Sequence, residues 1–209
     1  AEFHRAYTAN ITLFGRAQKD VLFNAAFKRA AAGVDAASIV GPLFAAASHF
    51  DRITQGMYID TMQLLPGNNL VKPDRMGMAC SIEARTPFLD YRMVDLAFRM
   101  PGKFKLHNGI TKYLYKKAVA PLIGADLAYR PKQMFTVPIG EWFRQDLYPM
   151  CRELLVTSPT LVSEMFDVSA VAAMVEDHRT GNANYTREIR AFLALEIWAR
   201  AFNVGNLTA

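Results

Sequence analysis

Cysteine is scarce in this chain, with Cys80 and Cys151 its only two. They lie far apart, which excludes the closely spaced thiols of a zinc site and leaves no disulfide framework. Each sits among apolar residues, so both are expected to be buried free thiols of a reducing compartment, and the protein is expected to be cytoplasmic. No apolar run is long enough to span a bilayer, because Asp, Arg or Lys interrupts each candidate within a turn or two. The opening residues AEFHRAY lack the apolar core of a signal peptide and read as the interior of a longer polypeptide. There is no internal repeat, no low-complexity segment and no clear linker, so no domain boundary is expected. His4, His49, His107 and His178 show no ligand spacing, and no metal role is expected for them.

Hydrophobic residues make up 52% and charged residues 21% of the 209 positions, which suits a soluble globular domain or a large fragment and excludes disorder. The balance is mildly basic, with 24 Lys+Arg against 19 Asp+Glu. The basic residues are scattered among apolar ones with no run of five or more. That pattern predicts a solvated surface with a few anion contacts, and neither a nucleic-acid nor a membrane partner.

Helical spacing dominates, and a mostly α fold is expected. Helices are predicted over residues 20–32, closed by Gly33, and 51–65, capped by Asp51 and stopped by Pro66-Gly67. A third is predicted over 69–80, with Pro73 in its first turn. Pro87 forces an extended piece around 83–88. Asp90 caps a helix over 91–100 that Pro101-Gly102 ends. Asn108-Gly109 marks a turn, and Thr111 is expected to cap a helix through Val119. Residues 128–140, with Pro131 and Pro138, read as loop. Helices return over 142–156, 169–179 and 186–203. In the last, Ile189, Leu193 and Ile197 form a stripe that Phe192 and Trp198 broaden.

The densest chemistry lies in residues 68–98. There Lys72, Asp74, Arg75, Glu83, Arg85 and Asp90 are interspersed with core-type residues. Read alone, Asp74 and Arg75 suit structural ion pairs, and Met76, Met78, Phe88 and Phe98 suit a core.

The wording DRMGMACSIEARTPFLDYRMVDLA resembles the DRMSMA–S–E–R–PFLD signature of the asparagine synthetase (glutamine-hydrolysing) family. YRPKQMFTVPIGEWFR is similar to that family's RPK–x–GF–x–P–x–x–W motif, and GITKYLYKKA between them to its G–x–K–x–x–L–x–K–A segment. Order and spacing match together, strongly over 67–144 and weakly over 174–203, with echoes at DHRTG and FLALEIWARAF. The resemblance implies that residues 1–209 are the helical C-terminal part of an α/β synthetase domain of the ATP-pyrophosphatase kind, with the parallel sheet largely missing.

The resemblance also implies an activity for the parent protein. ATP and Mg²⁺ activate a carboxylic acid, L-aspartate by base rate, as an acyl-adenylate. Ammonia from a glutaminase domain then displaces AMP. Lys132 matches the lysine that faces the phosphates, where a compact ammonium suits developing charge; its plain alternative is a solvated loop lysine. Glu83 matches a carboxylate near the amide-forming centre and equally suits a structural partner of Arg85. Asp74, Arg75, Arg85, Asp90 and Arg130 match signature positions and are expected to support substrate and phosphate binding. Asp90 also reads as a plain helix cap.

The family's S–G–G–x–D–S loop is absent, as is any Gly-Gly. The missing half of the synthetase domain and the glutaminase domain are therefore expected partners, and the isolated chain is expected to be inactive. Apolar surface left uncovered predicts self-association, for instance as a homodimer. Two positions depart from the pattern: Gly77 stands where Ser is more usual, and Met134 where the lysine loop usually has Gly. Met134 puts the family geometry of that loop in doubt. Two other classes stay open. One is a non-catalytic helical interaction module, or a paralogue acting on another acid. The other, suggested only by the basic balance, is a nucleic-acid-binding domain.

Overall fold

A computed structural model describes residues 2–133 and 137–205. They are mostly α-helical, and the one sheet among them is an antiparallel hairpin pairing Leu106–His107 with Ile110–Thr111. Asn108 and Gly109 turn that hairpin with φ of 48° and 79°, the left-handed pair that a two-residue turn needs. The helical expectation holds, and no parallel sheet occurs among the described residues.

The chain divides into two compact units, residues 1–8 with 35–133 and residues 9–34 with 134–209. Composition gave no sign of this division. One crossing falls inside the helix Glu2–Ile11 and another at the Gly33 turn, so no linker-like stretch marks them.

In the first unit, Asp35 caps the helix Ala36–Ala46, whose Phe44 is buried. His4 stacks on the Phe44 ring at 3.9 Å, and Phe3 and Tyr7 meet it edge-on. Asp51 caps Arg52–Ile59 as expected and also accepts the Gly102 N–H at 2.9 Å. Burial pushes its pKa up, but hydrogen bonds from Thr54, Gly102 and Ile53 outweigh this and hold the carboxyl below its usual range.

The expected stop at Pro66-Gly67 does not occur. Arg52–Ile59 runs through π-helical turns at Asp60–Leu70 into Val71–Ala79. A proline lacks an N–H and crowds the carbonyl four residues back; wider turns rearrange the bonding around it without ending the helix. Tyr91–Arg99 forms with its Asp90 cap, and a short helix Gly102–Lys105 follows Pro101. Thr111 does not cap the next helix, because it belongs to the hairpin. Lys112 at φ 56° precedes Tyr113–Ile123, which continues past Val119 and through Pro121 to Gly124.

The second unit holds a closed core that includes Phe143, Leu155, Val162, Phe166, Val171, Ile189 and Phe192. Its helices Val168–Thr180 and Thr186–Ala201 match expectation. The predicted 20–32 helix is instead broken into Arg16–Leu22 and Ala25–Ala30. Between them Phe23 bridges to Phe166, and Asn24 caps the second piece while donating to the Glu164 carbonyl at 2.7 Å. The predicted 142–156 helix also breaks, into Ile139–Arg144 and a segment from Tyr148 to Thr157. On Thr186–Ala201 the buried stripe is Ile189, Phe192, Leu193, Glu196 and Ala199, whereas Ile197 and Trp198 are exposed.

Further expectations need correcting. Cys151 is buried, and burial pushes its thiol up to about 11, but Cys80 is exposed. Met76, Met78 and Phe88 are exposed as well, although Phe88 meets the Tyr115 ring edge-on at 5.4 Å. Phe98 does pack, against Phe50 and Tyr58.

The turn after Val71–Ala79 has a defined geometry. Cys80 closes the helix, Ser81 sits at φ 58°, and the Ile82 N–H donates back to the Gly77 carbonyl at 2.9 Å while the Ser81 N–H donates to Met78 at 3.0 Å. This is a Schellman close with serine in the left-handed position. The Ile82 carbonyl lies so near Gly77 that a Cβ there would sit 2.7 Å from it. The glycine departure from the signature is therefore matched to this turn.

Glu196 is the deepest carboxylate, 0% exposed. It accepts the Thr160 N–H and the Val162 N–H, the latter at 3.0 Å, and pairs with Arg200 at 3.3 Å. Burial alone would raise its pKa, but those hydrogen bonds outweigh it and hold the carboxyl below its ordinary value.

Gly77→Ala should destabilise by about 1–2 kcal/mol, although alanine is the better helix former, because backbone blocks the new methyl. Ser81→Gly should stabilise by about 0.5–1 kcal/mol. Urea titration measures both. Glu196→Ala should cost about 2–3 kcal/mol by stranding the buried Val162 N–H and unpairing the Thr160 N–H. A folded pKa below the unfolded one means that the wild type carries this stabilisation above the unfolded carboxylate pKa of about 4.3 and loses it as pH falls through the folded value. Unfolding curves for wild type and Glu196→Gln should therefore converge in acid.

Candidate active site

Helix Val71–Ala79 projects Asp74 and Arg75 onto an open hollow of about 520 Å³, which Pro66, Leu70, Ala84, Thr86 and Leu89 also line. The Schellman close sends the chain back as an irregular stretch, residues 82–86, before the turn Pro87–Leu89. Ala84 and Thr86 line the hollow. Glu83 and Arg85, between and beside them, do not, as side-chain alternation along an extended chain requires. These two pair with each other at 2.9 Å, with their side chains 63% and 83% exposed. A pair so exposed contributes little to stability, and it leaves Glu83 open to solvent.

Asp90 is a helix cap. One oxygen accepts the Arg92 N–H and Nε, each at 2.9 Å, and the other accepts the guanidinium at 2.7 Å. Arg92 thereby holds the Asp90 carboxyl below the usual carboxylate range. This geometry accounts for Asp90 without a ligand.

Arg130 ends the short helix Ala125–Tyr129, and Lys132 follows in the loop after Pro131. Both are exposed. Among the described residues, Asp74, Arg75, Arg130 and Lys132 make no ion pair or side-chain hydrogen bond. Asp74 and Arg75 are thus not the structural ion pairs their charges suggested. The hollow brings Asp74 and Arg75 together with Ala84 and Thr86, while no described contact links Lys132 to that group. Met134 lies outside the described residues.

Sequence reading passed over a second group. His178 is buried, and its ring lies between the Gly140 carbonyl, 2.9 Å from Nε2, and the Tyr185 N–H, 3.1 Å from Nδ1. Val171, Met174 and Val175 are buried on the same helix. The three- and four-residue spacing to position 178 was the available signal. No three His, Cys, Asp or Glu side chains among the described residues come together as a metal-binding group. No helix among them is long and apolar enough to cross a membrane.

Residues 2–200 match the family model described as asparagine synthase. A provisionally named asparagine synthetase (glutamine-hydrolysing) of Mycobacterium tuberculosis is 31% identical over 169 residues, covering 78% of this chain and 25% of its own length. Asparagine synthetase (glutamine-hydrolysing) 1 of Bacillus subtilis is 33% identical over 155 residues, covering 74% and 24%. The human asparagine synthetase is 30% identical over 83 residues, covering 36% and 15%. The chain thus spans about a quarter of the length of the first of these relatives. No solved structure matches it. With a family model matched across nearly its whole length, the chain belongs to the asparagine synthase family.

Proposed function

We propose that this chain is the C-terminal part of the synthetase domain of an ATP-dependent amide-forming ligase. The family match over residues 2–200 carries the reading. The exposed Lys132, free of partners among the described residues, and the hollow bearing Asp74 and Arg75 support it.

In the proposed reaction a carboxylate oxygen of the acid, L-aspartate by base rate, attacks the α-phosphorus of ATP. The bond to the bridging oxygen breaks and pyrophosphate leaves. Ammonia then attacks the acyl carbon, loses a proton to a base, and AMP departs. The Lys132 ammonium offsets charge that builds on the phosphate oxygens as pyrophosphate leaves. Glu83, solvent-open beside Arg85, is the candidate acceptor of the ammonia proton. Arg75, Arg85 and Arg130 supply further positive charge for phosphate or carboxylate binding, and Asp74 shapes the hollow. Asp90 supports them by starting the helix Tyr91–Arg99. Mg²⁺ bound to the parent protein would screen phosphate charge. The described residues gather no ligand set for it, so no step here runs through it.

The partners proposed are the rest of the synthetase domain and a glutaminase domain that supplies ammonia. The apolar face of the first unit supports the former. Tyr91, Met93 and Leu96 of one amphipathic helix are exposed, together with Met76, Ile82 and Phe88. The same face would drive the isolated chain to self-associate as a homodimer.

ATP–pyrophosphate exchange by the parent protein, across a panel of carboxylic acids, tests the reading. Aspartate-dependent exchange is expected, and Lys132→Ala should lower its kcat on the order of 10²–10³-fold. Exchange with another acid alone would move the parent to a paralogue. Absence of exchange with every acid would overturn the ligase reading in favour of a non-catalytic helical module.

A further inference from the structure

A helix cap needs one carboxylate oxygen, and Asp51 uses both of its own. Oδ1 makes the cap, accepting the Ile53 and Thr54 N–H groups at 3.0 and 3.1 Å. Oδ2 accepts the Thr54 hydroxyl at 2.9 Å and the N–H of Gly102, 51 residues further along the chain, at 2.9 Å. One side chain thereby serves the starts of two helices, Arg52–Ile59 and Gly102–Lys105. Thr54 is 1% exposed, and its hydroxyl oxygen in turn accepts the Lys105 ammonium at 2.6 Å. Burial holds Lys105 below the usual lysine range, with the Asp51 charge opposing the shift. Gly102 is buried, and a Cβ there would lie 2.8 Å from the Asp51 carboxyl carbon.

This link joins two arms of the first unit. The first arm is the helical run 52–79, which starts at Asp51 and carries Asp74 and Arg75. The second, residues 82–101, carries Ala84, Thr86 and Leu89 and leads into Gly102. The arms are continuous through the Schellman turn, and both line the hollow. Helix Tyr91–Arg99 of the second arm has no buried residue. The ring contacts of this arm are Phe98 with Phe50 and Tyr58 and, further back, Phe88 with Tyr115.

We propose that Asp51 is a positioning residue: through Oδ2 it ties Gly102, and through Thr54 it ties Lys105, to the start of the helical run 52–79, and so sets how the two arms lining the hollow meet. The functional part rests on the proposed role of that hollow in the ligase; the structural part does not. A chain tied at both ends samples fewer placements than one tethered at a single turn. A plain cap would be complete with Oδ1 alone. The second oxygen, the buried hydroxyl relay and a glycine with no room for a methyl make the tie.

Asp51→Asn separates the two tasks. Its amide oxygen keeps the cap, while its NH2 faces the Gly102 N–H and cannot accept from it. In this chain, amide hydrogen exchange over residues 91–99 should rise about ten-fold in Asp51→Asn, with the helix Val168–Thr180 of the second unit unchanged. Gly102→Ala breaks the tie from the other side, leaves the cap residue in place, and should give the same result, which covers a failure of Asp51→Asn to fold. Thr54→Val removes the relay and should raise exchange in the same residues, whereas Thr54→Ser keeps the hydroxyl and should match the wild type. Unchanged exchange over 91–99 in Asp51→Asn, or an equal rise over Val168–Thr180, overturns the proposal. In the parent protein Asp51→Asn should lower kcat/KM for the acid in pyrophosphate exchange about ten-fold, and Thr54→Ser should leave it at the wild-type value. A wild-type kcat/KM in Asp51→Asn would overturn the positioning role. A wild-type parent with no exchange would instead sink the ligase reading, and the hydrogen-exchange comparison would still decide whether Asp51 ties the arms.

Discussion

Water must be excluded from the apolar faces of these helices, and the two units meet that demand to different degrees. In the second, Phe166, Phe192, Leu155, Val171 and Ile189 close a core from which solvent is absent. Phe166 and Phe192 meet edge to face at 4.8 Å. In the first, Phe44 and Ile59 are buried, yet the amphipathic Tyr91–Arg99 helix has no buried residue. Asp74, Arg75, Glu83, Arg85 and Asp90 lie in this first unit.

The contrast between Glu196 and Glu83 shows what that difference does to chemistry. Both are glutamates paired with an arginine. Glu196, with water gone, is kept ionised by oriented backbone N–H groups, and its charge organises the start of Leu161–Met165. Glu83 stays in solvent with Arg85, where the pair is screened and the carboxylate remains accessible. A buried carboxylate with both oxygens engaged is structural. An accessible one can accept a proton from a substrate.

Backbone geometry around the signature is specified closely. Gly77 and Ser81 close a helix so tightly that the Ile82 carbonyl occupies the space of a side chain at position 77. Asp90 then restarts helix two residues before Arg92 returns its guanidinium to the cap. The charged residues of the motif therefore sit on short, well-defined pieces of chain even where their side chains have no fixed partner.

Much of this was legible in the sequence. Residues such as Asp51 and Asp90 act locally, through the N–H groups two and three positions ahead, so their capping roles could be read without knowing the fold. The same holds for the Asn108-Gly109 turn and for the periodic helices near the C-terminus. The joint order of three motifs identified the family, because such order does not arise from composition. What tertiary structure decided was everything that depends on a distant partner. Phe23 leaves its helix to pair with Phe166, Pro66 is absorbed by wider turns, Cys80 stays in solvent, and Glu196 and His178 take places on buried faces. Local propensities are worth a fraction of a kcal/mol per residue, whereas burial and satisfied polar groups are worth about 1–3 kcal/mol each. Where the two conflicted, the contact distant in sequence won.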